Sequence, residues 1–211
     1  MPKDYPTELA EFGSSVLDSL REPLEEGVVR ITRARATVEF PAHVLLVAAM
    51  NPCPCGNGVK PGACSCGMAR RQRYLRRISG PLLDRFDLRV VVERPPVDEL
   101  LGGPPGESTA VVSARVQQAR RRAEARGVTR NADIPAHRLD ELAPLSPGAS
   151  ALLRRELERG RLTGRGLHRI RRVARTLADV NVVDPLIDEG VMMATLSLRV
   201  DPSAWSEGAA A

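Results

Sequence analysis

The stretch from Pro95 to Gly106 reads Pro-Pro-Val-Asp-Glu-Leu-Leu-Gly-Gly-Pro-Pro-Gly. Proline cannot donate a backbone hydrogen bond and glycine loses most entropy on ordering, so a run this dense in both interrupts any helix or strand. That density marks a linker between two differently patterned halves. We expect a first part over 1–97, a linker over 98–107, a second part over 108–200 and a disordered, Ala-rich tail over 201–211.

The two parts differ in pattern. In the first, Val16, Leu17, Leu20 and Leu24 recur at helical spacing and stop before Gly27. Two β-prone runs, Val28 to Ile31 and Ala36 to Phe40, flank the basic tip Arg33-Ala34-Arg35 and predict a hairpin. The apolar run Val44 to Met50, closed by Asn51-Pro52, suits a strand buried on both faces of a parallel sheet. A Cys/Gly-rich loop then leads to a basic helix around Met68 to Arg77, a short helix around Pro81 to Arg85 and a strand at Leu88 to Glu93. The second part is helical throughout: Ser108, Ser146-Pro147 and Asp184-Pro185 open helices, Gly127 and Gly160 end two of them, and Leu167, Ile170, Ala174, Leu177 and Ala178 mark an apolar face. This is the pattern of a small helix bundle.

Charge narrows the chemistry. Of 31 basic residues only Lys3 and Lys60 are lysines, and they precede Asp4 and Pro61. A phosphate-cradling P-loop requires Gly-Lys-Ser/Thr, so these 211 residues contain none. The net charge of +5 suits an anionic partner such as nucleic acid. No apolar run approaches the roughly 18 residues of a membrane span, and the first residues lack the apolar core of a secretory signal; a cytoplasmic protein with no membrane partner is expected.

All four cysteines fall in two Cys-x-Cys pairs, Cys53/Cys55 and Cys64/Cys66. Four thiolates can close a tetrahedral zinc site, and the glycine-rich segment between them has little else to order it. The spacing is tighter than the usual Cys-x₂₋₄-Cys, which keeps four free thiols as the alternative.

Several segments in order carry a resemblance: Thr7-Glu8-Leu9-Ala10-Glu11-Phe12, Leu20-Arg21-Glu22-Pro23-Leu24-Glu25, Ala48-Ala49-Met50-Asn51-Pro52-Cys53-Pro54-Cys55-Gly56, Gly80-Pro81-Leu82-Leu83-Asp84-Arg85-Phe86-Asp87 and Val173-Ala174-Arg175-Thr176-Leu177-Ala178-Asp179. From Thr7 to Val200 the chain resembles the C-terminal part of magnesium-chelatase-like AAA+ ATPases of the ComM/YifB type. The resemblance implies an α/β fold: an incomplete AAA+ core of P-loop NTPase type with a β-hairpin insertion, followed by an all-α helical lid.

The same resemblance assigns residues. Glu8 matches the Walker B glutamate that polarises the attacking water, although Thr7 stands where the magnesium-ligating aspartate is expected and Pro2 and Pro6 interrupt the preceding strand. Read alone, Glu8 is a solvated acid. Asn51 matches sensor 1, at the sheet edge where open α/β folds bind ligands; read alone, it starts an Asn-Pro turn. Arg85 matches the arginine finger that reaches a neighbouring subunit's nucleotide, which implies a hexameric ring; read alone, it pairs with Asp84 or Asp87. Arg165 matches sensor 2, and Arg33 and Arg35 match a pore hairpin that follows a DNA backbone. The helix bearing Arg70, Arg71, Arg73, Arg76 and Arg77 is a second basic patch.

In the family's usual sheet order, 5-1-4-3-2, Val44 to Met50 would be strand 4 and Leu88 to Glu93 strand 5, both flanking a strand 1 that this sequence lacks. The expectation is therefore a fragment of an ATP- and magnesium-dependent motor acting on DNA, itself inactive in ATP hydrolysis, that works as a homo-hexamer or with a complementing AAA+ chain. The alternatives are a zinc-stabilised DNA-binding adaptor, an inert remnant and a magnesium chelatase subunit-like protein.

Overall fold

The structure, a computed structural model, describes residues 8–34, 36–57, 64–93, 95–183 and 185–199. Arg35, Thr7 and the tail over 201–211 lie outside the described residues. Two compact units are present, one running up to Phe86 and the other from Asp87.

In the first unit the predicted helix forms as two short ones, α1 (Ser14–Ser19) and α2 (Arg21–Glu26). The break has a covalent cause: Pro23 has no N–H to give the Ser19 carbonyl, and its ring crowds that position. Gly27 ends α2 at φ 68°, and a Cβ there would stand 2.7 Å from the His43 imidazole, so conformation and space both call for glycine.

The hairpin forms as expected. Strands β1 (Val28–Arg33) and β2 (Ala36–Pro41) pair antiparallel, from Val28 opposite Pro41 to Arg33 opposite Ala36. One face carries the exposed apolar pairs Val29/Phe40 and Ile31/Val38. On the other, Arg30 forms ion pairs with Glu39 across the strands and with Glu22 and Glu26 of α2, tying the hairpin base to that helix.

Helices α3 (Met68–Leu75) and α4 (Gly80–Leu83) complete this unit. Ser79 caps α4, accepting from Leu82 N–H, and its hydroxyl donates to Asp18 at 2.7 Å. The cap holds Ile78 and Leu82 against Leu17, and Leu9, Phe12, Met50 and Phe86 pack around them. Helix α3 is less of a basic patch than its sequence implies, because Arg71 and Tyr74 form its buried face.

Two expected strands do not form. Val44 to Met50 has no strand assignment, and its one ladder-like contact is Leu9 N–H to the Ala49 carbonyl at 2.8 Å. Leu45 is 90% exposed and Val47 83%. A strand exists only through its partner, and the described residues offer this run none beyond that bond. Leu88 to Glu93 likewise makes a single parallel bridge, Arg89 to Arg199.

In the second unit the expected linker contains a short exposed helix, α5 (Val97–Gly102). Pro96 sets up its start, and Asp98 and Glu99 sit in the first turn, where the positive end of the helix favours them. Next come α6 (Thr109–Ala125), α7 (Leu139–Leu142), α8 (Pro147–Glu158), α9 (Gly164–Asn181) and α10 (Glu189–Ser197). Ser108, Ser146 and Thr163 cap α6, α8 and α9 through their hydroxyls. The last helix is capped by Asp188, which accepts from Val191 N–H at 2.8 Å, and not by Asp184, which lies outside the described residues. The reason is tertiary. Ile187 is fully buried and bonded on both sides, its N–H to the Pro144 carbonyl and its carbonyl to Ser146 N–H, so a helix can begin only after it.

The core of this unit joins α7, α8, α9 and α10 through Leu139, Leu142, Leu152, Leu153, Ile170, Ala174, Ala178 and Met192. Each large apolar side chain removed from water contributes about 1.5–3 kcal/mol, and the alanines of α9 let neighbouring helices approach closely.

Candidate functional site

Leu9 N–H bonds the Ala49 carbonyl, and this places Glu8 beside Asn51. The Asn51 side-chain amide donates to Glu8 Oε1, and the Tyr74 hydroxyl lies 3.4 Å from Glu8 Oε2. Both oxygens of one carboxylate are thereby held by two different elements. Tyr74 is 7% exposed, and its phenol is pushed up to about 12, first by burial, then by the negative charge and hydrogen bond of Glu8. Tyr74 was not singled out from the sequence. The available signal was an aromatic residue three positions after Arg71 on an otherwise charged helix.

The loop after Asn51 turns sharply. Gly56 N–H bonds the Cys53 carbonyl at 3.0 Å, and Gly56 adopts φ 77°. This turn lies over the Asn51 carboxamide, whose nitrogen would be 3.8 Å from a Cβ at Gly56.

The four cysteines come together. Their sulfurs all lie within 4.8 Å of one another, with Cys53–Cys55 at 3.3 Å, Cys53–Cys64 at 3.5 Å and Cys55–Cys64 at 3.6 Å. All four are free thiols. Cys66 N–H points at the Cys64 sulfur at 3.4 Å, a hydrogen bond within that pair. Burial pushes the Cys53 and Cys66 thiols up, whereas Asn57 N–H and the neighbouring thiols bring Cys55 down to about 6. A compact set of four sulfur donors matches what a tetrahedral thiophilic ion needs.

Arg85 is nearly buried. Its Nε donates to the Arg21 carbonyl at 2.9 Å, one terminal nitrogen donates to the Pro81 carbonyl at 2.6 Å, and the other pairs with Glu25. The ion-pair partner is therefore Glu25, and not Asp84 or Asp87 as sequence proximity suggested. Asp87 instead pairs with Arg169 at 3.0 Å within the second unit. Arg165 is exposed in the first turn of α9, directly after the Thr163 cap. Arg33 is exposed at the end of β1.

A further polar centre lies inside the second unit. Asp179, fully buried on α9, accepts from Arg175 at 3.0 Å and Asn131 at 2.7 Å and pairs with Arg126. Arg175, 1% exposed, also donates to the Val183 and Pro185 carbonyls, both at 2.8 Å. This network closes the turn after α9, where Val182 adopts φ 62°.

Among the described residues no helix is long and apolar enough to cross a membrane.

The family described as "Magnesium chelatase, subunit ChlI" matches residues 5–100, and "Magnesium chelatase, subunit ChlI C-terminal" matches residues 106–199. An uncharacterized protein of Mycobacterium tuberculosis is 42% identical over 197 residues, which is 91% of this chain and 38% of that protein. The uncharacterized protein YifB of Escherichia coli is 37% identical over 195 residues, 92% of this chain and 38% of YifB. Competence protein ComM of Haemophilus influenzae is 39% identical over 180 residues, 82% of this chain and 34% of ComM. The chain thus spans little more than a third of the length of these relatives. Both halves match in order over nearly the whole chain, and the chain belongs to the magnesium-chelatase-like family that includes YifB and ComM, whose domains imply an AAA+ type α/β fold.

Proposed function

We propose that this chain supplies the water-orienting side of an ATP site in a nucleotide-dependent ring motor that acts on DNA. The observation that carries the reading is the Asn51–Glu8 hydrogen bond at the end of the Val44 to Met50 run. A glutamate is the group that takes a proton from an attacking water, and a neutral amide beside it can orient that water or a terminal phosphate without adding charge. With Asn51 on one oxygen and Tyr74 on the other, Glu8 is held in one orientation, which is the positioning such chemistry needs.

The residues present do not make a complete nucleotide site. They include no P-loop, and Thr7 stands where a magnesium ligand would be expected, so the 211-residue chain alone is inactive in ATP hydrolysis. Nucleotide binding then depends on a complementing AAA+ segment. The exposed run Val44, Leu45 and Val47 supports this, since apolar side chains of a strand-forming sequence without a neighbour are a pairing surface. In the assembled hexamer Arg85 exchanges Glu25 for a neighbouring subunit's nucleotide, Arg165 contacts the nucleotide of its own subunit, and Arg33 and Arg35 follow the DNA backbone. The setting is cytoplasmic, consistent with four reduced thiols.

The test is complementation. The chain is mixed with a P-loop-bearing N-terminal segment of a family member, and ATP turnover is measured for each part and for the mixture. Turnover is expected only in the mixture and is lost in Glu8→Gln and Asn51→Ala. Turnover by the 211-residue chain alone that disappears with Glu8→Gln, or a complemented activity indifferent to both changes, would sink the reading. The four-sulfur cluster favours a second reading, a zinc-stabilised DNA-binding adaptor, for which the mixture shows no turnover while metal and DNA still bind.

A further inference from the structure

The sulfur cluster sits two residues beyond Asn51, and the two features are physically joined. We propose that Cys53, Cys55, Cys64 and Cys66 hold one zinc ion as a closed tetrahedral tetrathiolate, and that this centre anchors Asn51 against Glu8.

The spacing carries the first part. Zinc–sulfur bonds of about 2.3 Å in a tetrahedron put the sulfurs about 3.8 Å apart. The separations of 3.3, 3.5 and 3.6 Å, with every pair inside 4.8 Å, need only small shifts to admit the ion. They are far longer than a disulfide bond of about 2.05 Å. The backbone already supports one of these sulfurs as a thiolate: Cys66 N–H donates to the Cys64 sulfur at 3.4 Å. Immediately after Cys66 the arginine-bearing α3 begins, and its positive N-terminal end offsets the net negative charge of a tetrathiolate. Binding forms four zinc–sulfur bonds and releases the thiol protons to solvent, with no change of oxidation state.

The local chain path carries the second part. Cys53 is fully buried, and the turn it forms with Gly56 lies across the Asn51 carboxamide. Asn51 donates to one oxygen of Glu8, and the Tyr74 hydroxyl of α3 lies 3.4 Å from the other. With Cys53 fixed by the metal, Asn51 has one place to stand. The anchoring role takes its significance from reading Asn51 as a sensor, but neither readout below involves nucleotide.

The 211-residue chain, purified without chelator, is expected to contain one zinc per chain, and its cobalt-substituted form to show the charge-transfer absorption of a tetrahedral tetrathiolate. Cys55→Ser/Cys64→Ser abolishes both. The anchor is read by amide hydrogen exchange at Leu9, whose N–H bonds the Ala49 carbonyl and so reports the register of Glu8 beside Asn51. Chelation is expected to accelerate exchange there by about tenfold or more and zinc readdition to restore it, while buried Met192 of the second unit is unchanged. Iron in place of zinc, a disulfide or no metal overturns the metal centre. Bound zinc with Leu9 exchange indifferent to its removal overturns the anchor, and an ATPase failure alone leaves both results standing.

Discussion

Arg175 holds Asp179 one helical turn away at 3.0 Å, and both side chains are excluded from solvent. Buried ion pairs are not generally net stabilising, yet removing one partner leaves the other charged and without compensation. Here Arg175 and Arg126 would both lose their shared carboxylate. Asp179→Ala is therefore expected to destabilise the second unit by about 3–5 kcal/mol, read as a lower urea midpoint of the helical signal. A change within about 0.5 kcal/mol would mean the network contributes nothing to holding the turn after α9.

Burial of Tyr74 against the Glu8 carboxylate predicts an alkaline signature. The folded-state phenol is raised from its ordinary value near 10 to about 12, so the folded protein keeps this proton where the unfolded chain loses it. The stabilisation is fully present below about pH 10 and is lost as pH climbs to about 12. Unfolding free energy measured across this window should fall in the wild-type chain by more than in Tyr74→Phe. Parallel curves for the two proteins would show that Tyr74 is not buried beside Glu8 in solution.

Exposed Arg33 at the end of β1 predicts an interaction with phosphate and not with bases. Arg33→Ala should weaken DNA binding to a similar extent for unrelated sequences and make the dependence of log affinity on log salt shallower by about 0.9 for each duplex phosphate that the guanidinium neutralises. A salt slope equal to that of the wild-type chain would remove the hairpin from the DNA interface.

Where local chemistry decides, the residues alone pointed to the right structure. Ser108 and Ser146 cap α6 and α8, and Gly127 and Gly160 follow their ends at positive φ, because a cap involves atoms only a few residues apart. The hairpin formed for the same reason. The candidate site was only partly legible. Glu8 and Asn51 could be named, but their contact joins residues 43 positions apart, and Tyr74 joins Glu8 across 66. Arg85 found Glu25, 60 positions away, although Asp84 and Asp87 stood closer in sequence. Asp188 displaced Asp184 as the last cap because Ile187 had first to be buried.

By itself, then, the sequence determined the helical second half, the absence of a P-loop within these 211 residues and the family, since each is written in local pattern or in ordered motifs, whereas the division between the two units falls after Phe86 and not at the expected 98–107 linker. Tertiary structure alone decided that four cysteines share one small volume, that Asn51 meets Glu8, and that Val44 to Met50 finds no strand partner among the described residues. A thiol cluster, a side-chain bridge and a β-strand each need a second segment brought to the same place, and no single stretch of residues encodes where its partner will lie.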